Sequence, residues 1–243
     1  MKKLTTLLLL VATLTTYAKK PLYQYVRIST SKGECIVRLY NQTPLHRDNF
    51  VKLANAGYFN GTLFHRVING FMVQGGDPTS KNAQPGQLIG EGGPGYTIKA
   101  EFSDSLFHKK GALAAARDNN PEKASNGSQF YLVQGRTYTD EELNRLEQIR
   151  LNGRKIPAWQ REIYKTVGGT PFLDQNYTVF GEIVKGLPMV DSIAQVATDS
   201  NNRPLEDVKM QVSVLKKREV RQLEKELMQG TFKKKLFMNI KLF

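Results

Sequence analysis

Hydrophobic and polar residues alternate along several short stretches of this chain, a pattern typical of β-strands with one buried face. Turn residues separate neighbouring stretches, at 31–33 and again at 69–70. The alternation predicts strands at residues 22–30, 34–40, 62–67, 70–74, 111–117, 128–134, 177–184 and 207–215.

Two short helices are predicted between these strands. One begins at Pro44, since proline suits the first position of a helix, and it stops near Gly57. The other covers residues 188–196. Residues 75–95 are rich in Gly and Pro and residues 118–127 are polar, so both predict loops. Many short strands with two short helices predict a mainly β fold, a closed barrel capped by helices.

Two segments do not follow this rhythm. Residues 136–170 are charged and helical in pattern: Thr139 and Glu142 have the spacing of a capping box, and Pro157 begins a second helical stretch. We expect a small helical hairpin, which either packs on itself or forms a wall beside a binding groove. Residues 216–243 form a basic, amphipathic C-terminal tail.

Residues 1–18 have the pattern of a cleaved Sec signal peptide. Two lysines precede an apolar run that is too short to cross a bilayer as a stop-transfer helix, and residues 16–18 fit a cleavage site. The pattern predicts export to the periplasm of a soluble protein whose folded domain covers residues 19–215. Cys35 is the only cysteine, and its strand pattern predicts a packed residue rather than a reactive thiol.

The net charge of +13 lies mostly at the two ends of the chain. Four lysines fall within the first 20 residues, and from Lys216 onward nine Lys or Arg face three Glu. The middle of the chain is left with a charge of about +3, by difference from these counts. A basic patch on the folded domain is therefore not indicated, and we expect no nucleic-acid partner.

Several common chemistries lack their residues in this chain. The three histidines, His46, His65 and His108, have no metal-ligand spacing, so no metal site is predicted. The segment GEGGPGY (residues 90–96) lacks the Lys-Ser/Thr pair of a phosphate-binding loop and predicts a structural turn. Ser128 has no evident partner histidine and no G-x-S-x-G context, so a serine hydrolase is not supported.

Five motifs, in order along the chain, resemble the cyclophilins, which are peptidyl-prolyl cis-trans isomerases. The resemblance runs from about residue 23 to residue 215, is interrupted only at 136–170, and is closest to the exported bacterial branch. It implies an eight-stranded antiparallel barrel with a helix at each end, and an isomerase that needs no cofactor. The motifs are FHRVINGFMVQGGDPT (64–79), GEGGPGY (90–96), GALAAAR (111–117), NGSQFYLVQG (126–135) and FLDQNYTVFGEIVKG (172–186).

The resemblance also assigns roles to individual residues. It implies that Arg66 is the catalytic hydrogen-bond donor and that Gln74 orients it. The floor and walls of a proline pocket would be formed by Phe71, Met72, Tyr131 and Leu173. The substrate peptide would be held by Ala116, Arg117 and Gln129, with the Arg117 backbone against the residue before proline, and Phe172 and Tyr177 would close the site.

Four positions depart from the usual pattern of the family, and one of them is Tyr177, which stands where histidine is common. Tyr131 stands where phenylalanine is common, so its hydroxyl needs a partner or a water molecule at the pocket floor. Phe172 stands where an indole N–H is common, so we expect weak inhibition by cyclosporin. Arg117 stands where asparagine is common, and its charge is expected to favour acidic residues before proline.

The sequence supports more than one function. Our first hypothesis is an isomerase that assists the folding of exported, proline-containing polypeptides. The second is a non-catalytic chaperone or assembly module that holds X-Pro segments in the same pocket, and the third is a scaffold role of the insertion or the tail. We expect a monomer, and contact of the basic tail with a membrane is a further hypothesis.

Overall fold

The structure is a computed structural model that describes residues 23–84 and 87–240, the last ten of these by their backbone only. The signal peptide predicted at 1–18 lies outside the described residues. The strands are β1 Gln24–Thr30, β2 Gly33–Leu39, β3 Phe64–Ile68, β4 Met72–Gly75, β5 Thr97–Ile98, β6 Ala112–Ala115, β7 Ser125–Asn126, β8 Phe130–Val133, β9 Val179–Lys185 and β10 Met210–Val214. The helices are α1 Pro44–Asn55, α2 Asp140–Ile149, α3 Ala158–Thr166, α4 Pro188–Ala194 and α5 Lys217–Ile240.

Eight strands form one antiparallel sheet in the order β10-β1-β2-β9-β6-β8-β4-β3, which confirms the mainly β prediction. The predicted closed barrel is wrong in detail, because the edge strands β3 and β10 are not paired with each other in the sheet. The two edges are joined where these strands begin: Leu63 bridges Lys209, and the N–H of Phe64, the first residue of β3, donates to the Val208 carbonyl at 2.9 Å. The sheet is thus an open half-barrel whose edges touch at one end.

The two faces of the sheet have different roles. The inner face carries the main core, in which Val37, Val67, Leu113 and Leu132 are buried together with Phe130. Helices α1 and α4 cover this core, as the sequence predicts for the two capping helices. The short pair β5 and β7 forms a separate ribbon that the residue pattern does not indicate, since two residues are too few to show alternation.

Helix α1 begins with a cap that is distant in sequence. Pro44 occupies its first turn, and no side chain of the preceding residue caps it. The Glu101 carboxylate accepts instead from the backbone N–H groups of Leu45 and His46, both at 3.0 Å. These bonds satisfy two donors that every helix start leaves free, and the negative charge suits the positive end of the helix dipole.

The insertion is a helical hairpin with a core of its own. Thr139 and Glu142 form the predicted capping box at the start of α2. The break that follows falls at Asn152 and Gly153, both with positive φ. Buried between the helices and the body of the protein are Phe107, Tyr138, Leu143, Leu151, Ile156 and Tyr164.

The tail continues from the sheet as the long helix α5. Its first turns pack Val220 and Leu223 against Tyr25 and Ile36 of the sheet. Arg27 pairs with Glu219 at 3.1 Å across this contact. Among the described residues, no helix has both the length and the apolar character that a membrane span requires.

A bulge at His65 sets the phase of β3. Phe64 pairs with Gly75 and Arg66 with Gln74, so His65 is an extra residue on its strand. Because of this extra residue, Phe64 and Val67 both reach the main core although they are three positions apart. His65 itself is buried, and burial, which disfavours the charged ring, lowers its pKa to about 4.

We predict a pH-dependent contribution of His65 to stability. Between pH ~6.5 and ~4 the unfolded chain binds a proton at this ring that the folded protein excludes, so stability is retained above pH 6.5 and falls below it. At about 1.4 kcal/mol per pH unit, the loss at pH 4.5 is ~2–3 kcal/mol. Urea unfolding of the parent and of His65→Leu at pH 7 and pH 4.5 measures it. The prediction fails if the difference in unfolding free energy between the two proteins is equal at both pH values.

Candidate active site

The site is built on a row of directly paired residues, one from each of the neighbouring strands β3, β4, β8 and β6. This first row is Arg66, Gln74, Tyr131 and Ala114. Directly paired residues in an antiparallel sheet share one face. The next row along the strands, made of Val67, Val73, Leu132 and Leu113, belongs to the main core. The first row therefore lies on the opposite face of the sheet, away from the main core.

A small pocket, here called the central pocket, opens over this row. Its volume is about 100 Å³, a suitable size for one small ring. Nine of the eleven site residues predicted from the sequence line it, namely Arg66, Phe71, Met72, Gln74, Ala116, Arg117, Tyr131, Leu173 and Tyr177. Polar and apolar side chains contribute to its wall in similar measure, and Arg66 is among the lining residues.

Arg66 is held by a chain of amide side chains. A guanidinium N–H of Arg66 donates to Gln74 Oε1 at 3.2 Å. The Gln74 amide donates in turn to Gln129 Oε1 at 3.0 Å. The Gln129 amide donates to the carbonyls of Gly90 and Gly92, both at 2.7 Å. Gln129 does not line the central pocket. It lines a neighbouring cavity together with Gln74, Ala116 and Arg117, and its hydrogen bond fixes the orientation of Gln74.

The glycine-rich loop 90–96 is anchored from the other side by Asp77. One carboxylate oxygen accepts from the N–H groups of Gly90 and Gly92, at 2.6 and 3.1 Å. Burial raises the pKa of Asp77, but hydrogen bonds from Thr79 and this loop outweigh it and hold that pKa below its ordinary value. The loop thus serves as a structural turn, as predicted, and Asp77 is a supporting residue that sequence reasoning missed.

The buried hydroxyl of Tyr131 has a hydrogen-bond partner, the ring of His108. It lies 2.9 Å from Nε2 of His108, a fully buried ring. Nδ1 of His108 lies 2.8 Å from a carboxylate oxygen of Asp174, which can only accept, so Nδ1 carries the proton. In the neutral ring Nε2 then accepts from the Tyr131 hydroxyl. Burial raises the pKa of Tyr131 well above its ordinary value, so this hydroxyl keeps its proton.

Asp174 connects the pocket floor to the insertion. Besides the His108 ring, its carboxylate accepts from the His108 backbone N–H at 2.9 Å and from the hydroxyl of Tyr164 in α3 at 2.6 Å. Burial raises the pKa of Tyr164 as well, so its hydroxyl remains a donor. A continuous buried network therefore joins α3 to Tyr131.

The remaining predicted residues form the rim of the pocket. The Arg117 guanidinium lies 4.8 Å from the ring centre of Tyr177 and donates to the carbonyls of Asn176 and Asp118. In the described part of the chain, the backbone N–H and C=O of Arg117 make no hydrogen bond, so both are open to a bound peptide. Phe172 does not line the central pocket; it packs beside Phe71, with ring centres 5.5 Å apart.

We predict that Tyr131→Phe destabilises the protein. The substitution leaves Nε2 of the buried His108 without its hydrogen-bond donor, at a cost of ~1–3 kcal/mol in the free energy of unfolding. Urea denaturation measures the loss. Tyr177→Phe is the matched control, because within the described residues the Tyr177 hydroxyl makes no hydrogen bond. Equal stability of Tyr131→Phe and the parent would contradict the proposed network.

Comparison with known proteins places the chain in a family. Residues 25–214 match the family model described as cyclophilin type peptidyl-prolyl cis-trans isomerase/CLD. A protein of Staphylococcus saprophyticus, provisionally named a peptidyl-prolyl cis-trans isomerase, is 38% identical over 183 residues, which cover 74% of this chain and 85% of that protein. A relative with the same provisional name in Staphylococcus aureus USA300 is 39% identical over 184 residues, or 75% of this chain and 87% of that protein.

Solved structures agree on the fold. The crystal structure of a cyclophilin-type peptidyl-prolyl cis-trans isomerase from Cryptosporidium parvum has a TM-score of 0.60 at 24% identity, covering 80% of this chain and 98% of that chain. A second structure of the same protein, in the presence of the dipeptide Ala-Pro, has a TM-score of 0.59 at 24% identity and covers 79% and 99%. With most of its length matched by the family model, this chain belongs to the cyclophilin-type peptidyl-prolyl cis-trans isomerases.

Proposed function

We propose that this isomerase rotates X-Pro bonds in exported polypeptides during their folding, and that Arg66 supplies the catalytic hydrogen bond. The observation that carries the proposal is the fixed position of the Arg66 guanidinium, which Gln74 holds at a small pocket that also presents Phe71, Met72 and Leu173. The Ala-Pro dipeptide present with the structurally similar Cryptosporidium protein supports a proline-containing ligand at this site.

Rotation of an X-Pro bond needs no nucleophile and no metal. Amide resonance sets a barrier of ~18–20 kcal/mol, and uncatalysed rotation takes tens to hundreds of seconds. As the amide twists, conjugation is lost and the prolyl nitrogen regains a lone pair. Arg66 is always charged and acts only as a donor, so it binds that nitrogen in the twisted state and not in the planar one.

The magnitudes show what the rest of the site must contribute. A hundred-thousandfold acceleration requires about 7 kcal/mol of preference for the transition state. One hydrogen bond from a charged donor contributes ~1.5–3 kcal/mol. Immobilising the proline ring against Phe71, Met72 and Tyr131, and the preceding residue against the open backbone groups of Arg117, contributes the remainder.

Export and folding are supported by the sequence pattern of residues 1–18, which precede the segment matched by the family. In this proposal the mature protein is a periplasmic monomer that uses no cofactor and binds no nucleic acid. The basic, amphipathic tail is a candidate for contact with an anionic membrane surface.

A second candidate function is a non-catalytic holder of X-Pro segments. The same pocket and open backbone groups would serve a binder equally well. Arg66 favours the enzyme, because a protein that only binds planar amides gains nothing from a donor aimed at a twisted prolyl nitrogen.

We predict that Arg66→Ala lowers kcat/KM for an X-Pro tetrapeptide by at least a hundredfold, because the donor to the twisted nitrogen is lost. A protease-coupled isomerisation assay on residues 19–243 measures the change. Stability should be nearly unaltered, since Arg66 is outside the core, and Arg66→Lys controls for charge without the guanidinium geometry. Undiminished turnover in Arg66→Ala would remove Arg66 from the mechanism.

We also predict that the protein recovered from the periplasmic fraction of producing cells begins at Lys19. Cleavage after Ala18 fits the small-residue requirement of signal peptidase. N-terminal sequencing of the fractionated protein tests this, with a version lacking residues 1–18 as the cytoplasmic control. Recovery of a chain that still starts at Met1, in the cytoplasm alone, would contradict export.

A further inference from the structure

The insertion forms a second cavity beside the central pocket. This cavity, here called the insertion groove, has a volume of about 440 Å³, within the usual range of ligand sites in proteins. It is lined by Gly70, Phe71, Arg136, Tyr138, Glu142, Arg145, Leu146, Ile149, Arg150 and Phe172.

The groove adjoins the central pocket at Phe71. Phe71 lines both cavities, and Phe172, which packs against it, lies on the groove side. A polypeptide with its proline in the central pocket would therefore pass from one cavity into the other at Phe71. In an extended chain each residue spans ~3.3–3.6 Å, so the groove is within reach of the residues next to the proline.

The groove combines an apolar floor with a positively charged edge. Leu146 and Ile149 of α2 contribute to the floor together with the aromatic rings, and Ile149 is 67% exposed. The edge carries Arg145 and Arg150, both exposed. Within the described part of the chain, neither guanidinium has a hydrogen bond or an ion pair to an acidic group.

The acidic residues nearby are already occupied. Glu142 pairs with Arg136 at 2.8 Å and accepts from the backbone N–H of Thr139 at 2.9 Å. Asp140 and Glu147 are both bound by Arg161, on the side of α2 that faces α3. After the hydrogen bonds from Thr139 and Arg136, the charge of Arg145 also helps to hold the pKa of Glu142 below its ordinary value. Arg145 and Arg150 nevertheless make no ion pair of their own among the described residues, so both can attract an anion from outside the insertion.

We propose that the insertion groove binds the substrate segment that follows the proline, and that it selects an apolar residue next to an acidic one. The direction of the substrate chain rests on the proposed function, in which the residue before proline lies along the backbone of Arg117. The chain after proline then leaves the central pocket past Phe71. The apolar floor takes the hydrophobic side chain, and Arg145 and Arg150 pair with the carboxylate.

The test compares three peptides, two with an Ala-Pro core and one with a Glu-Pro core. The first continues after proline with Phe-Leu-Glu-Glu, the second with Phe-Leu-Gln-Gln, and the third has Glu directly before proline and the glutamine ending. Binding is measured by fluorescence anisotropy and kcat/KM by the isomerisation assay. We expect three- to tenfold tighter binding of the first peptide than of the second, and a loss of this preference in 0.5 M salt.

The matched variants are Arg145→Glu with Arg150→Glu, and the control Arg221→Glu on the exposed side of α5. The double variant should abolish or reverse the preference for the acidic ending, whereas the control should keep it. The readout is a ratio between two peptides, so a general change in activity does not affect it. Replacement of the whole hairpin is unsuitable, because it would remove the Tyr164 bond to Asp174 and uncover Phe107.

Each outcome separates this proposal from the proposed function. The proposal that the groove selects an acidic ending is overturned if the acidic and glutamine endings bind with equal affinity. It is also overturned if the preference for the acidic ending survives in the double variant. A preference for Glu before proline alone assigns the selectivity to Arg117 and also overturns it. Tight, Arg145-dependent binding of an acidic ending that is never isomerised supports the groove and contradicts the enzyme mechanism.

Discussion

Directly paired residues of antiparallel strands share a face, and the location of the active site follows from this constraint. The inner face of the sheet is filled by the main core, so the row of Val67, Val73, Leu132 and Leu113 fixes the register of four strands. The neighbouring row is then forced outward, with Arg66 beside Gln74. A slip of one residue would exchange the two faces and place a guanidinium in the core, at a large cost in free energy.

Alternation in the sequence predicts the large elements well, because burial of one sheet face dictates it. Its failures have physical causes. The strands β5 and β7 have two residues each and show no period, and the closure of the sheet depends on bonds made just outside the strands, at Leu63 and Lys209. The bulge at His65 was also hidden, since an extra residue in β3 shifts the phase without changing its composition.

In the site, too, the sequence predicts residues that belong to local motifs and misses contacts between residues that are distant along the chain. Motifs supplied the residues that line the central pocket and the amides Gln74 and Gln129 that hold Arg66, but not the more distant supporting residues. Asp77 acts on a loop 13 residues away, and His108 and Asp174 meet across 66 residues. One signal was nonetheless present: a tyrosine at an apolar pocket floor needs a polar partner, and a buried histidine satisfies that need at Tyr131.

The hydrogen bonds around Asp174 attach the insertion to the body of the protein. A buried carboxylate is tolerated only when donors surround it, and two of the donors to Asp174 come from His108 in the body of the protein while the third comes from Tyr164 in α3. Phe107 adds an apolar contact between the same two parts. A hairpin that only packed on itself would need neither contact. The insertion is instead anchored at the floor of the central pocket, so Arg145 of α2 and Arg150 just after it keep a fixed position relative to a bound proline.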